Sequence, residues 1–263
     1  MLADVQNNKD SRNIEIDKVG VKALKYPIIV LDKVNKKQPT VANVNMYVEL
    51  PHYFKGTHMS RFLEVLNRYR GEMTSFNIGN VLEDMKKTLD AKRSHIELEF
   101  PYFIEKSAPV TGAKGLMEYI CKFIATSNGE KELDFILVVK IPVMTLCPCS
   151  KEISRYGAHN QRSYVTISIR FGEMVWIENL IEMAENCSSS AVYSMLKRED
   201  EKFVTEKSYE NPMFVEDVVR CIGEKLIKDD NILWFSVESE NIESIHNHNA
   251  YAFIERDKRK SKK

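Results

Sequence analysis

The sequence lacks the marks of a membrane-spanning, secreted or broadly nucleic-acid-binding protein. No apolar run in its 263 residues approaches the roughly 20 residues that cross a bilayer. Residues 1–7 have no charged head followed by an apolar core, which predicts no secretory signal. Because 38 basic residues balance 38 acidic ones, no overall positive field favours nucleic acid. We interpret the basic segment 256–263 as a solvated, disordered tail rather than an anion-binding element.

Cysteine is also scarce, and its spacing is uneven. The chain has five cysteines, an odd number that argues against a disulfide framework and for free thiols in a reducing compartment. We therefore expect a cytoplasmic protein. Cys121, Cys187 and Cys221 lie in apolar periodic segments, where packing in the core is the expected role. Neither a Walker motif nor a G-x-G-x-x-G motif occurs, so a P-loop or a dinucleotide-binding fold is not supported.

Apolar residues alternate at strand spacing in some segments and recur at helical spacing in others. Alternation predicts strands at 14–31, 41–50, 95–103, 116–126, 133–143, 164–171, 233–237 and 250–254. Helical spacing predicts helices at 61–70, 78–91, 175–185 and 211–228. Each half of the chain thus runs from strands through helices to strands, with no long linker between the halves. This order predicts an α+β fold, with antiparallel sheets and paired helices on one face.

The segment Leu146-Cys147-Pro148-Cys149-Ser150-Lys151, followed by His159, carries the strongest chemical signal. Thiolates and imidazoles bind zinc-like metals, and they also act as nucleophiles and proton shuttles. Residues two apart in an extended loop point the same way, so both thiols are expected to face one pocket. The alternative is that Cys147 and Cys149 are small core residues and His159 is a surface residue. We favour metal binding or catalysis.

Three other places can contribute polar groups to a site. The pair in His246-Asn247-His248 suits metal binding, proton transfer or phosphate contacts, although loop histidines are often only solvated. Segment 55–61 precedes a predicted helix, whose N-terminus can bind phosphate, and a merely capped helix is an equal alternative. Glu216 falls near a helix start, where a buried carboxylate needs a donor such as the N–H edge of guanine. Glu201 lies in a charge run, which by itself indicates a solvated face.

Taken together, the sequence resembles GTP cyclohydrolase of type IB, a prokaryotic enzyme family. The resemblance covers the chain from about Asp4 to Tyr251. It rests on five motifs in the family's order: Asp4 to Asn7, Gly56 to Phe62, Leu146 to Ser154, Gly157 to Ser163 and Glu238 to His248. The reaction that the resemblance implies converts GTP and water to 7,8-dihydroneopterin triphosphate and formate. This step opens tetrahydrofolate and 7-deazaguanine biosynthesis.

The fold that the resemblance implies is a tandem pair of tunnelling-fold (T-fold) units. We expect a flexible N-terminal arm at 1–12, T-fold units at 13–112 and 113–255, and the tail at 256–263. The resemblance also implies a homotetramer with active sites at subunit interfaces. Exposed strand edges would need such a partner. No nucleic-acid or membrane partner is expected.

The resemblance also implies a metal site. It assigns metal binding to Cys147, His159 and Glu201, and the ion would be Zn²⁺, Mn²⁺ or Fe²⁺, with no organic cofactor. Water on that ion would attack guanine C8. Cys149 would lie beside C8 and act in proton transfer or in stabilising an intermediate. Which thiol binds the metal in a given state stays open.

Substrate contacts follow from the same resemblance. Glu216 would accept hydrogen bonds from guanine N1–H and the exocyclic amine. His246 and His248 would act catalytically in proton transfer and contact the ribose or phosphate. The triphosphate would be bound by Lys55, His58, Ser60 and Arg61.

Two other functions remain possible on the sequence alone. A relative with the same fold could process another purine or a pterin, as an aldolase or a nitrile reductase does, but the five motifs disfavour it. A zinc-stabilised binding module would need four closed protein ligands, usually with more cysteine, and only two thiols lie close together in this sequence. Such a module would unfold without its metal, whereas an enzyme would only lose activity.

Overall fold

The structure is a computed structural model that describes residue 6 and residues 10–70, 73–74, 77–129 and 132–259. Most of the predicted N-terminal arm and residues 260–263 of the predicted tail lie outside these described residues. The strands are β1 (Ile16–Asp32), β2 (Lys36–Leu50), β3 (Arg93–Ser107), β4 (Lys114–Asn128), β5 (Glu132–Leu146), β6 (Asn160–Phe171), β7 (Ser190–Ala191), β8 (Ile232–Asn241) and β9 (Ala250–Asp257). The helices are α1 (Met59–Arg68), α2 (Ile78–Leu89), α3 (Pro148–Ile153), α4 (Ile177–Glu185), α5 (Arg198–Glu210) and α6 (Val215–Lys228).

The chain divides into two compact units. The first comprises the described residues of 1–101 and 122–137, and the second those of 102–121 and 138–263. Strands β3, β4 and β5 each contribute one part to either unit. The sequence-based boundary between residues 112 and 113 therefore stays a prediction, since these units follow compactness and not chain order.

The first unit is an antiparallel sheet with two helices. Its strands lie in the order β1-β2-β3-β4-β5. Alternate residues of β2, among them Val44 and Met46, are buried, so the strand has one apolar face. The helices α1 and α2 contact each other and bury Phe62 and Leu82, among others, at the spacing that the sequence predicts.

A carboxylate organises the tight turn between β1 and β2. Asp32, which is buried, accepts hydrogen bonds from the backbone N–H groups of Val34 at 2.9 Å and Asn35 at 2.6 Å. Its second oxygen accepts one from Gln38 Nε2 at 3.1 Å. Burial alone would raise the pKa of Asp32, but these hydrogen bonds outweigh burial and hold the pKa below its ordinary value of 3.8. The ionised carboxylate is therefore part of the folded turn.

The second unit has the strand order β3-β4-β5-β6-β8-β9, with the short β7 beside β5. Helix α6 packs on β8 and β9 and buries Val218, Ile222 and Leu226. Asp200, in the first turn of α5, is buried and accepts hydrogen bonds from the backbone N–H groups of Val110 and Lys197 at 2.8 and 2.9 Å. This side chain links α5 to the turn between β3 and β4.

The predicted α+β class with antiparallel strands is confirmed, and the four predicted helices are present, with the largest difference in start at α6. Helix α6 begins at Val215 instead of residue 211, because Asp217 accepts from the Phe214 N–H at 2.9 Å and ends the preceding loop there. Helices α3 and α5 were not predicted. The first is only six residues long, and the second is so polar that its sequence indicates only a charged surface. Strand β9 extends to Asp257 and so includes the first two residues of the predicted tail.

The cysteines depart from the expectation of five free thiols. Cys187, after α4, and Cys221, in α6, form a disulfide across 34 residues of sequence, with their Cα atoms 5.7 Å apart. Sequence cannot pair them, because only the packing of the two helices brings them together. Cys121, Cys147 and Cys149 are free. Burial raises the pKa of the Cys121 thiol well above its ordinary value, in line with its predicted role in the core. Among the described residues, no helix has the length and apolar character to cross a membrane.

Candidate active site

A pocket of about 280 Å³ in the second unit brings together five of the eleven predicted site residues. It lies where β5, β6, β8 and α6 begin or end, and where the loop between β8 and β9 returns. Its lining residues are Cys147, Pro148, His159, Gln161, Met213, Phe214, Val215, Glu216, Asn241, Glu243, His246, His248 and Ala250. Sulfur, imidazole, carboxylate and amide groups therefore share one cavity with apolar side chains, as in many small-molecule sites.

Cys147 lies at the junction of β5 and α3. It is the N-cap of α3, with Pro148 at the first helical position, and its Sγ accepts from the Ser150 N–H at 3.4 Å. The prediction of an extended Cys-Pro-Cys loop is therefore wrong. Helical geometry separates the directions of the two thiols: Cys147 lines the pocket, whereas Cys149 is exposed and is not among the lining residues.

His159 enters the pocket next to Cys147. The backbone N–H of Cys147 donates to the His159 carbonyl at 3.1 Å, which fixes the two residues side by side. Gly157, with φ of +133°, allows the turn that leads from α3 into β6. His159 Nδ1 lies 3.0 Å from Gln161 Oε1 and 3.9 Å from Glu243 Oε2. Nδ1 is therefore occupied within the protein, and Nε2 is the nitrogen that can bind a ligand.

The start of α6 brings Glu216 to the pocket. The backbone N–H of Met213 donates to the Leu146 carbonyl at 3.1 Å, and Asn211 Nδ2 donates to the Ser188 carbonyl at 3.0 Å. These bonds attach the segment before α6 to the end of β5 and to the segment before β7. Glu216 lies in the first turn of the helix with an exposed side chain, where the positive end of the helix dipole favours its charge.

The loop between β8 and β9 supplies the remaining polar groups. The rings of His246 and His248 are stacked, with centroids 5.1 Å apart and planes at 20°. Both side chains are exposed at the pocket, whereas the Glu243 side chain is only 10% exposed. This geometry gives two adjacent imidazoles that can exchange protons with a ligand, beside a sheltered carboxylate.

Two of the three predicted metal ligands meet in this pocket. Cys147 and His159 offer a sulfur and an imidazole nitrogen, a donor pair that fits a divalent transition metal. Glu201, on α5, is exposed and does not line the pocket. Among the described residues, no group of three or more His, Cys, Asp or Glu side chains is arranged to hold a metal ion. The pocket therefore contains two of the predicted metal ligands and lacks the third, Glu201.

The residues predicted to bind triphosphate belong to the first unit. His58 is the N-cap of α1, and Ser60 and Arg61 lie in its first turn, with Lys55 in the preceding loop. Arg61 Nη1 donates to the Thr88 carbonyl at 3.4 Å. Lys55 and Ser60 are exposed, so both are available to an anion.

Comparison with known proteins agrees with this chemistry. A family model described as type I GTP cyclohydrolase FolE2 matches residues 2–252. The chain belongs to this family. The GTP cyclohydrolase FolE2 of Geotalea uraniireducens is 62% identical over 258 residues, which covers 98% of this chain and 94% of the relative. That of Geobacter metallireducens is 59% identical over 258 residues and 98% of either chain.

Solved structures show the fold of this FolE2-family member. A uricase from Bacillus fastidious aligns with a TM-score of 0.54 at 7% identity, covering 95% of this chain and 94% of that one. A urate oxidase from Bacillus sp. TB-90 aligns with a TM-score of 0.53 at 10% identity, covering 92% and 100%. The tunnelling fold expected from the sequence is thereby confirmed. At these identities the likeness concerns the fold alone.

Sequence reasoning missed three polar members of the pocket in this FolE2-family protein. Gln161, Asn241 and Glu243 lie inside two of the five motifs, but the sequence suggested no role for them. The signal that could have found Gln161 is its position two residues after His159, where the chain enters β6, since residues two apart in extended backbone point to one side. Glu243 has no such signal, because its approach to His159 depends on how the loop after β8 folds back.

Proposed function

We propose that this chain is a metal-dependent GTP cyclohydrolase I of the prokaryotic type IB, which converts GTP and water to 7,8-dihydroneopterin triphosphate and formate. The observation that carries the proposal is a family match over nearly the whole chain, together with a pocket that contains the matching chemical groups. The product enters tetrahydrofolate biosynthesis, and we extend this to 7-deazaguanine biosynthesis.

Cys147 and His159 would hold the metal, with Glu201 as the third ligand. The chemistry that a bound Zn²⁺, Mn²⁺ or Fe²⁺ ion supplies is a lower pKa for its water, so that hydroxide is available at guanine C8. The pairing of Cys147 and His159 through a backbone hydrogen bond supports their joint role. Because Glu243 lies in the pocket and Glu201 does not, metal affinity should be measured for both Glu201→Gln and Glu243→Gln. Unchanged affinity in Glu201→Gln would contradict its assignment.

Glu216 would recognise the guanine base. A carboxylate accepts hydrogen bonds only, so it fits the two donors of guanine, N1–H and the exocyclic amine, and repels the acceptor N1 of adenine. Its position in the first turn of α6, on the pocket wall, supports this role. The walls beside it, Phe214 and Val215, are apolar and can contact the faces of a flat base.

His246 and His248 would transfer protons while the imidazole ring of the base opens and the ribose rearranges. Stacked rings in an exposed loop allow one imidazole to give a proton while its neighbour accepts one. Cys149 would act beside C8, which requires α3 to present its exposed thiol to the substrate. Lys55, His58, Ser60 and Arg61 would bind the triphosphate through their charges and the start of α1.

The protein would assemble as a homotetramer. In the described strand order, β1 and β9 each have a single neighbouring strand, so each presents a row of backbone donors and acceptors. Tyr251 and Phe253 on β9 are 58% and 50% exposed, which favours a protein partner over water. We also propose a cytoplasmic location, where the free, accessible thiol of Cys149 would stay reduced.

The proposal is tested by replacing Glu216. In Glu216→Gln the amide nitrogen faces the guanine donors, and loss of a charge-assisted hydrogen bond lowers kcat/KM for GTP by about 100-fold. Metal content stays at the wild-type value, because Glu216 is not a ligand. The matched control is Glu224→Gln, on the same helix but paired with Lys228 at 2.6 Å and absent from the pocket wall. Wild-type turnover in Glu216→Gln would contradict the base-recognition role.

A second candidate function is the processing of another purine or a pterin in the same pocket. Two assays separate the candidates: formate release from GTP and from ATP, and consumption of dihydroneopterin. Turnover of GTP alone supports the cyclohydrolase, whereas chemistry on a pterin without formate from GTP would favour the second candidate.

A further inference from the structure

Four polar side chains, two of which line the pocket, form one continuous chain of hydrogen bonds that ends at His159. Gln161 Oε1 lies 3.0 Å from His159 Nδ1, and Gln161 Nε2 donates to Thr145 Oγ1 at 2.8 Å. Thr145 Oγ1 lies 2.7 Å from Ser163 Oγ, which donates to Asn241 Oδ1 at 2.7 Å. The residues come from β5, β6 and β8 of the second unit.

The chain of hydrogen bonds is almost entirely buried. Thr145 and Ser163 are 0% exposed, Asn241 3% and Gln161 7%, so the two hydroxyls in the middle have no access to solvent. Their neighbours on the same strands are apolar core residues such as Val143, Val165 and Val237. Burying polar side chains in such a core costs free energy, even when they are hydrogen-bonded, compared with apolar residues of the same size. Their presence therefore calls for a function.

With the Asn241 and Gln161 amides oriented as they are in the structure, counting hydrogens sets the direction of every bond in this chain of hydrogen bonds. A hydroxyl has a single proton, and that of Ser163 goes to the Asn241 carbonyl oxygen, which cannot donate. Thr145 must then donate its own proton to Ser163, and so it can only accept from Gln161. The Gln161 amide nitrogen faces Thr145, which turns its oxygen towards His159. Since this oxygen only accepts, Nδ1 of His159 must carry the hydrogen.

The direction of these hydrogen bonds decides which nitrogen of the His159 imidazole is free to bind a metal. A neutral histidine with its hydrogen on Nδ1 keeps a lone pair on Nε2, which is the form that binds a metal through Nε2. The reversed chain is also self-consistent, with both amides rotated and all the hydroxyl protons turned round. It would put a donor against Nδ1, move the hydrogen to Nε2 and remove the lone pair. Only one of the two directions is therefore compatible with metal binding through Nε2.

We propose that Gln161, Thr145, Ser163 and Asn241 are positioning residues that hold His159 in the tautomer and orientation that bind the metal. This inference rests on the proposed function, because it takes His159 as a metal ligand. Glu243, with Oε2 3.9 Å from Nδ1, reinforces the same tautomer by its negative charge. The four hydrogen-bonded side chains act as a unit, so Asn241 at the far end affects His159 without contacting it.

The first test is metal affinity of the full-length protein, measured by Mn²⁺ titration of metal-stripped samples. Gln161→Met keeps the size of the side chain but removes the acceptor, and affinity falls 10- to 100-fold, roughly the effect of removing a partner of a metal-ligating histidine. Thr145→Val interrupts the chain of hydrogen bonds one bond further from His159, and metal affinity falls by a smaller factor. Gln161→Glu retains an acceptor for Nδ1 and keeps affinity closer to the wild type than Gln161→Met does.

The matched control is Ser239→Ala. Ser239 is a fully buried serine on β8, and its hydroxyl has no hydrogen-bond partner among the described residues. Its replacement alters a buried hydroxyl on the same strand as Asn241 without touching the chain, so metal affinity stays at the wild-type value. A loss equal to that in Gln161→Met would mean that any buried polar change in this sheet weakens the site, and it would overturn the proposal.

The second test reads the tautomer directly, without metal and without turnover. In metal-free protein labelled with ¹⁵N-histidine at pH 8, the ring nitrogens of His159 are assigned by their loss in His159→Asn. The wild type shows the hydrogen on Nδ1, and Gln161→Met and Thr145→Val show an increased share on Nε2. Wild-type protein with the hydrogen on Nε2 overturns the proposal even if the variants are too unstable for titration.

The outcomes separate this inference from the proposed function. Wild-type protein that binds Mn²⁺, with unchanged affinity in Gln161→Met, would overturn the positioning role and leave the metal site intact. Wild-type protein that does not bind a divalent metal would overturn the metal site and this role together.

Discussion

A part-buried ion pair in the second unit yields the sharpest stability prediction. Lys106 Nζ lies 2.6 Å from Glu185 Oε1 and donates to the Val192 carbonyl at 2.9 Å, and the Tyr119 hydroxyl donates to the same glutamate oxygen at 2.9 Å. The Lys106 and Glu185 side chains are each 15% exposed. Burial lowers the pKa of Lys106, and the charge of Glu185 only partly restores it. The lysine charge therefore depends on its partner.

Replacement of Lys106 by Met leaves Glu185 in the interior without its counter-charge. Removing one partner of a fully buried pair costs about 3–5 kcal/mol, and for this part-buried pair we expect a loss near the lower end, about 3 kcal/mol, in the free energy of unfolding. Removing only the Tyr119 hydroxyl, in Tyr119→Phe, costs one hydrogen bond to a charged group, about 1.5–3 kcal/mol. The triple variant Lys106→Met, Glu185→Leu, Tyr119→Phe removes all three polar side chains and recovers at least half of the single-variant loss.

The assay is equilibrium unfolding in urea at pH 7, followed by tryptophan fluorescence, on the four proteins under one metal and reductant condition. We predict that the free energy of unfolding is highest for the wild type, lower for the triple variant and lowest for Lys106→Met. If Lys106→Met loses less than about 1 kcal/mol, or if the triple variant is less stable than the single one, the pair is not a buried, mutually dependent unit.

Three further predictions concern the scaffold. Gly20→Ala would place a Cβ against the Met46 carbonyl oxygen of the neighbouring strand, and we expect the free energy of unfolding to fall by about 2 kcal/mol. The control is Gly56→Ala, whose Cβ would make ordinary contacts and whose free energy of unfolding should stay within about 0.5 kcal/mol of the wild type. Cys221→Ser opens the 34-residue disulfide link, and unfolding under oxidising conditions should lose about 4 kcal/mol, a difference that vanishes when the wild type is reduced. Because hydrogen bonds depress the pKa of Asp32, its ionised form stabilises the folded state above pH 3.8, and this stability is lost as the pH falls through the lower, folded-state pKa. The stability gap between wild type and Asp32→Asn, followed by unfolding from pH 6 to pH 2, should therefore narrow in acid, and a constant gap would show that these hydrogen bonds do not stabilise the ionised carboxylate.

The sequence predicted those parts of the fold that depend on strong local periodicity. Long strands with one apolar face and helices such as α2 are recognisable, because burial on one side imposes a spacing of two or 3.6 residues. Helix α5 is not, since its charged sequence buries only Asp200 and Ser208, and tertiary hydrogen bonds from the turn before β4 hold its first turn in place. Helix α3 is too short to show a period.

In the candidate site, too, some features could be predicted from local sequence and others could not. Of the predicted site residues, Cys147, His159, Glu216, His246 and His248 line one pocket, whereas Cys149, Glu201 and the residues of segment 55–61 do not. The segment containing Cys149 was misread, because a proline between two cysteines suits a rigid loop and the first turn of a helix equally well. The approach of Glu243 to His159 and the disulfide depend on contacts between distant segments, which no local pattern encodes.

The most direct test of the proposed reaction is formate release from GTP by manganese-loaded protein, measured beside metal-stripped protein and Cys149→Ala. We predict formate from the loaded wild type and none from either control, since C8 is removed only when both the metal site and the thiol are intact. Folded, metal-loaded wild-type protein that releases no formate from GTP would contradict the proposed reaction.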